Sequence, residues 1–191
     1  MLLKDHKLAI ILYLLGFLVL IGSFFLDNMF LELIMGIQNP LLIYLLEWVN
    51  YGLFLVLVLL FVTSIFMWEE GKKDWIIPSW VTFLSTFLFV VVLKFLVARE
   101  RPVESLIPAL ADLSFPSVHI ALCFSMLPII DRTFPNLKWF WIIFALVVAL
   151  GKLYLGLHYL SDAIAGALIG LSIGLAALHL KKKYNLFKAS V

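Results

Sequence analysis

The sequence predicts an all-α polytopic membrane protein of six transmembrane helices, with interfacial helices between the first and the second. Three observations carry that prediction. Of 191 residues, 64% are hydrophobic and only 14% charged, whereas a soluble domain is about 45–50% apolar and about 25% charged. The apolar residues gather into six runs that approach the roughly 20 residues a membrane helix needs. The basic residues also segregate. Placed on alternating sides of six helices, ten of the 14 Lys and Arg share the side of both termini and four fall opposite. The composition argues against a soluble globular domain and a disordered chain. Cys123 is the single cysteine, which argues against a disulfide scaffold. No long Lys/Arg run lies on a soluble face, so nothing points to nucleic acid.

The first run, 8–26, is too long for a signal-peptide core and meets no small-x-small cleavage site before Asp27, so it reads as an uncleaved first helix. Residues 27–50 mix apolar side chains with Asp27, Glu32, Gln38, Asn39 and Glu47, a pattern that suits interfacial helices broken near Asn39-Pro40. The second and third spans are read at 51–68 and 76–97, the fifth and sixth at 139–157 and 162–180. The fourth, 118–130, is short, which suggests burial among the others or extension into flanking residues. None of these runs shows the sustained period-2 alternation of a membrane strand. Trp48, Trp68, Trp75, Trp80, Trp139 and Trp141 fall near the proposed helix ends, as an aromatic belt does. No second domain, repeat or linker is visible, so residues 1–191 read as one integral membrane domain.

The side rich in Lys and Arg is cytoplasmic under the positive-inside rule, and it holds both termini. The four opposite cations are Lys94, Arg99, Arg101 and Lys152. Lys94 and Lys152 lie inside apolar runs, where a lysine at the bilayer centre costs about 2.5–3.5 kcal/mol and is a functional hypothesis by default. Both are near outer helix ends, where snorkelling reduces that cost. The same face receives Ser117 and His119 at the start of the fourth span, and His158 and Asp162 between the fifth and sixth. Cations, a hydroxyl, two histidines and a carboxylate on one face suit a phosphate. Lys and Arg neutralise it, and Arg can do so bidentately. A helix starting at Ser117 would add backbone N–H donors. A neutral histidine can attack phosphorus while a charged one protonates the leaving oxygen. His158 and Asp162 are four apart, so a helix through them would put both on one face, with the carboxylate holding the imidazole in one tautomer. No metal or other cofactor is needed, and the set lacks the carboxylates Mg²⁺ prefers.

The spacing Lys94-x6-Arg101-Pro102, then Pro116-Ser117-Val118-His119, then Lys152-x5-His158-x3-Asp162 resembles the three-part signature of the type 2 phosphatidic acid phosphatase superfamily. That superfamily includes six-helix membrane lipid phosphatases, soluble acid phosphatases and vanadate-dependent haloperoxidases. The resemblance spans the motif region 94–166 and is densest over 154–166. It implies that His158 is the nucleophile forming a phosphohistidine, that Asp162 orients it, and that His119 is the general acid. It implies a phosphate-binding set of Lys94, Arg101, Ser117, the backbone at Val118 and Lys152. Two positions depart from the family pattern. Val118 stands where Gly is usual and cannot take the positive φ that Gly allows. Gly151-Lys152 stands where Ser-Arg is usual, and Lys keeps the charge without the fork.

The remaining polar and small residues have plainer readings. Arg99 reads as a headgroup or loop cation, and Glu100, Glu104 and Asp112 as loop solvation. His6 and His179 read as cytoplasmic bystanders, and Cys123 as helix packing. Gly166, Gly170 and Gly174 suit close helix contact, and Lys181 to Lys183 suit a cytoplasmic anchor. The expected function is a membrane lipid phosphate or diphosphate phosphatase of the cell membrane, with its site extracytoplasmic and its substrate arriving from the bilayer. Undecaprenyl diphosphate is the first expectation, then phosphatidylglycerol phosphate or phosphatidic acid. No obligatory protein partner is expected. Two alternatives stay open: phosphoryl transfer to an alcohol or sugar acceptor, and an inactive lipid-binding or transport protein.

Overall fold

A computed structural model describes residues 6–51, 55–102 and 113–184. Among them the protein is helical throughout, and the one β feature is an isolated bridge between Glu100 and Leu113. The helices are α1 (His6–Met35), α2 (Pro40–Val49), α3 (Thr63–Glu69, entered through a π-helical segment Leu57–Val62), α4 (Ile76–Val97), α5 (Val118–Thr133), α6 (Lys138–Tyr154) and α7 (Leu160–Tyr184). Four helical stretches are long and apolar enough to cross a membrane: Tyr13–Met35, Lys73–Val97, Pro135–Tyr154 and Leu160–Tyr184. The apolar helix Val58–Glu69 is shorter, and α5 has 16 residues.

Residues 27–35 continue α1 and form no separate interfacial helix, because no Gly or Pro interrupts the chain between Ser23 and Gly36. The expected break near Asn39-Pro40 is present. The Asn39 side chain accepts from the Leu41 N–H at 2.9 Å and the Leu42 N–H at 3.4 Å, and Pro40 fills the first turn of α2. A short polar cap followed by a proline with no N–H to lose is a strong helix start.

The short α5 is the centre of the bundle. Ile120, Ala121, Cys123, Ser125 and Met126 are fully buried, and Leu122, Met126 and Ile129 share a core with Leu59 and Met67 of the α3 region, Phe83 of α4, and Trp141 and Val148 of α6. Burial among other helices removes the need for a full membrane-spanning length. The reverse holds outside, where Phe17, Phe25, Leu88, Leu96, Phe140 and Ile143 are exposed. Large apolar side chains over the outer surface of several helices mark a membrane protein, since soluble monomers rarely expose wide apolar patches.

Contacts fix the helix directions. Tyr13 meets Ser172, Gly16 meets Leu168 and Asp27 meets Ser161, so α1 and α7 run antiparallel. Against α5, α7 runs parallel in a constant register. A Cβ on Gly166, Gly170 or Gly174 would meet the carbonyl of Ser117, Ala121 or Ser125 respectively. The glycine ladder is thus the surface that brings these two backbones together. The consequence is positional: the N-terminal ends of α5 and α7 lie side by side, Ser117 N–H donating to the Asp162 carbonyl at 3.1 Å. At the other end of the bundle Lys181 closes onto Asp74 at 2.9 Å and stands over the Trp75 ring.

Candidate active site

Two helices end at the site in the same way. The last turn of α4 closes with the Ala98 N–H donating to the Lys94 carbonyl at 2.8 Å, and Ala98 takes the left-handed conformation at φ 50°. At the end of α6, Gly156 is left-handed at φ 67°, and the Leu157 N–H donates to the Lys152 carbonyl at 3.1 Å. Both are C-terminal caps in which a left-handed residue reverses the chain. Each puts a lysine in a final turn, where the helix dipole favours a cation, and turns the following segment back over it. After α4 that segment carries Arg99 and Arg101; after α6 it carries His158.

The first two motif segments are then stapled together. Ser114 N–H donates to the Arg99 carbonyl at 2.7 Å, beside the Glu100–Leu113 bridge. Lys94 Nζ, buried, donates to the carbonyls of Leu113 at 2.6 Å and Ser114 at 3.0 Å. Lys152 Nζ, also buried, donates to the Asn50 carbonyl at 3.1 Å, which draws the end of α2 over the site. Tyr154 adds to that contact, its hydroxyl accepting from Asn39 N–H at 2.6 Å and donating to the Ile37 carbonyl at 3.1 Å.

Ser117 is the N-cap of α5, yet its hydroxyl makes no capping bond. The side chain is fully buried and its Oγ has no hydrogen-bond partner among the described residues. A buried hydroxyl beside the orphan N–H groups of a helix start is suited to an anion. Val118 follows as the first helical residue. Ala98 is the one non-glycine residue with positive φ among those described, so Val118 does not need the conformation that a glycine would permit. His119 feels the charges of Lys152, His158, Arg101 and Lys94, which brings the residues of all three motifs to one place. Arg101 is half-buried within that group.

His158 lies in the turn before α7, not in the helix, so its approach to Asp162 does not rest on helical spacing. Its Nδ1 is 3.5 Å from Asp162 Oδ2, longer than a hydrogen bond. Such distances are often long without substrate. Asp162 is held independently: its Oδ2 accepts the Tyr159 N–H at 2.8 Å, the return half of a helix-start capping box. Burial pushes His158 down to about 4, with Lys94 and Arg101 pressing the same way and Asp162 opposing them. The imidazole is therefore neutral at pH 7, as an attacking nitrogen must be.

Arg99 departs from its expected role as a headgroup or loop cation. One guanidinium nitrogen donates to Asp162 at 3.0 Å and to Ser161 Oγ at 2.6 Å, the other to Asp27 at 2.8 Å. Asp27, expected in an interfacial helix, is buried in α1 at the same level. An apolar run that continues past a buried carboxylate signals a partner, but the partner lies 72 positions away. Cys123 packs in the core as expected, Glu100 and His179 are exposed, and Glu104 and Asp112 lie outside the described residues.

A helical membrane bundle with histidines, cations and a helix start converging at one end defines a phosphate-handling membrane protein. The chain belongs to the PAP2 superfamily, which includes membrane lipid phosphatases and whose model matches residues 75–186. Among its relatives, it is 29% identical over 138 residues to the "Bacitracin transport permease protein BcrC" of Bacillus licheniformis, an alignment covering 69% of this chain and 66% of that one. The chain thus spans just under two thirds of that relative's length. In fold it is similar to a PAP2-type phosphatidylglycerolphosphate phosphatase of Bacillus subtilis, with a TM-score of 0.72 at 20% identity over 93% of this chain and 98% of that one. It is also similar to LpxE of Aquifex aeolicus, with a TM-score of 0.66 at 24% identity over 81% and 95%.

Proposed function

We propose that this protein is a single-domain membrane phosphatase of lipid phosphates or diphosphates that works through a phosphohistidine, with undecaprenyl diphosphate as its first substrate. The observation that carries the reading is the meeting of Lys94, Arg101, Lys152 and His158 about His119, two positions along the chain from the buried, unpartnered Ser117 hydroxyl. In the first step the neutral His158 attacks phosphorus, the bond from phosphorus to the leaving oxygen breaks, and His119 gives that oxygen its proton. In the second, His119 takes a proton from water as the water oxygen bonds to phosphorus and the bond to His158 breaks. Lys94 and Lys152 use two and one of their three N–H donors on backbone carbonyls, so each keeps capacity for phosphoryl oxygens. Arg101, Ser117 and the Val118 N–H complete the binding set. Preorganised donors of this kind act most on the charge that develops in the transition state.

The cation-rich pocket suits a diphosphate, which carries more charge than a monoester. Glycerol lipid phosphates are the second reading, supported by the fold's likeness to a phosphatidylglycerolphosphate phosphatase. The permease description of the Bacillus licheniformis relative supports a transport reading in which the pocket binds without hydrolysis. Six crossings follow if α3 and α5 complete the four longer spans. The end bearing Lys72, Lys73 and Lys181 to Lys183 is then cytoplasmic, with the site extracytoplasmic at headgroup level. The test is phosphate release by purified protein from undecaprenyl diphosphate, phosphatidylglycerol phosphate and phosphatidic acid side by side, with His158→Ala as control. Release several-fold faster from the polyprenyl substrate is expected. No release above the control on any lipid refutes the phosphatase reading.

A further inference from the structure

The histidine of the site rests on a line of charges, buried at both carboxylates, that reaches back into the first helix. Asp162 offers one oxygen to Arg99 at 3.0 Å, while the other accepts the Tyr159 N–H and faces His158. Arg99 spans the gap to a second carboxylate, Asp27, at 2.8 Å, and its guanidinium lies 3.9 Å over the Tyr159 ring. Asp27 is 3% exposed and fully engaged. Its Oδ1 accepts the Ser161 N–H at 2.8 Å, and its Oδ2 accepts the Ser161 hydroxyl at 2.5 Å as well as Arg99. Both carboxylates therefore grip the first turn of α7, one from α1 and one from α7 itself, and one planar fork fixes the angle between them.

We propose that Asp27, Arg99 and Asp162 form a relay that sets both the orientation and the basicity of His158, which makes Asp27 and Arg99 positioning residues for the reaction. The catalytic meaning of the relay rests on the phosphatase reading above. The sign of each link follows from electrostatics. Asp162 stabilises a protonated His158, and Arg99 draws on that same negative charge. Asp27 in turn draws Arg99 away from Asp162. The other groups facing His158 are Lys94 of α4, Arg101 of the segment after it, and His119 of α5, with Lys152 of α6 facing His119. Asp27 bonds to Arg99 and to Ser161, so changes at Asp27 and Arg99 report on the relay. Removing the Arg99 charge leaves Asp162 wholly to His158 and raises its pKa. Removing the Asp27 charge lets Arg99 close on Asp162 and lowers it.

The test follows His158 directly, in full-length protein in detergent with ¹⁵N-labelled imidazoles, its signal assigned by loss in His158→Ala. Arg99→Gln should shift the titration up and Asp27→Asn should shift it down, each by about half a unit or more. Arg99→Lys, which keeps the charge but cannot fork, should fall between native and Arg99→Gln. Turnover on undecaprenyl diphosphate is read in parallel. It should show kcat lowered roughly tenfold or more with KM within about twofold. Thermal melting identifies the folded variants, and any one of the three that folds decides the matter. An unmoved titration in a folded variant, or shifts in the same direction for Arg99→Gln and Asp27→Asn, overturns the relay. Shifts of the expected signs in a chain that releases no phosphate support the relay and refute the phosphatase reading.

Discussion

The contact between α5 and α7 carries the geometry of the site, and one methyl group tests it. In Gly170→Ala the new Cβ would stand on the Ala121 carbonyl, 2.9 Å from its carbon and 3.0 Å from Cα. Backbone cannot swing aside as a side chain can, so the helices must part, by about an ångström to restore ordinary carbon contacts of roughly 3.5–4 Å. Overpacking of this kind costs about 1–3 kcal/mol, against about 1 kcal/mol gained from alanine's better helix propensity. Gly22→Ala in α1 is the matched control, because nothing lies within 4 Å of its Cβ position. Melting in detergent should place Gly170→Ala below the native protein and Gly22→Ala at or above it. The same separation moves Ser117 and His119 away from His158 and Asp162, and a misplacement near 1 Å can cost about a hundredfold in rate. Phosphate release should therefore fall by roughly tenfold or more in Gly170→Ala alone. Equal melting and equal turnover in the two variants would refute the claim that this contact positions the site.

Other outcomes are expected on the same grounds. On the acid side, turnover should fall as His158 takes a proton near 4; an acid limb near pH 6.5 contradicts a histidine kept neutral by burial. Ala98→Gly removes a left-handed alanine, which costs about 1–2 kcal/mol, and should raise the melting temperature, less the extra freedom glycine gives the unfolded chain. Lys152→Arg should lower turnover roughly tenfold, because the lysine is buried against the Asn50 carbonyl and a longer side chain overfills that space; unchanged or faster turnover shows that the pocket accepts the fork. Vanadate should inhibit as a transition-state mimic, and chelators should leave turnover intact, with loss and rescue by Mg²⁺ contradicting a metal-free reaction.

The parts of this molecule that read correctly from sequence are those whose physics is local. Four of the six apolar runs, the Asn39-Pro40 start of α2, the four-residue glycine spacing of α7 and the short α5 each follow from neighbours along the chain. The motif residues could be assigned to one candidate site because their spacing could be matched as a pattern. The errors lie where distant segments decide. Asp27 looked interfacial because a lone carboxylate after an apolar run resembles a helix end, yet Arg99 allows α1 to continue past it to Met35. Arg99 looked like a loop cation because its carboxylate partners come from the first and last helices. His158 and Asp162 meet through a turn stabilised by Gly156, not along a helix face. Val118 looked like a backbone problem, and it is the ordinary first residue of a helix.

The covalent intermediate tests the central claim most directly. Protein mixed with undecaprenyl diphosphate labelled at its terminal phosphate, and quenched in alkali within a turnover, should carry label on His158 in a bond that survives base and breaks in acid. His158→Ala should carry none and release no phosphate. Phosphate release by the native protein with no label on His158, or continued turnover in His158→Ala, would contradict a phosphohistidine mechanism at this site.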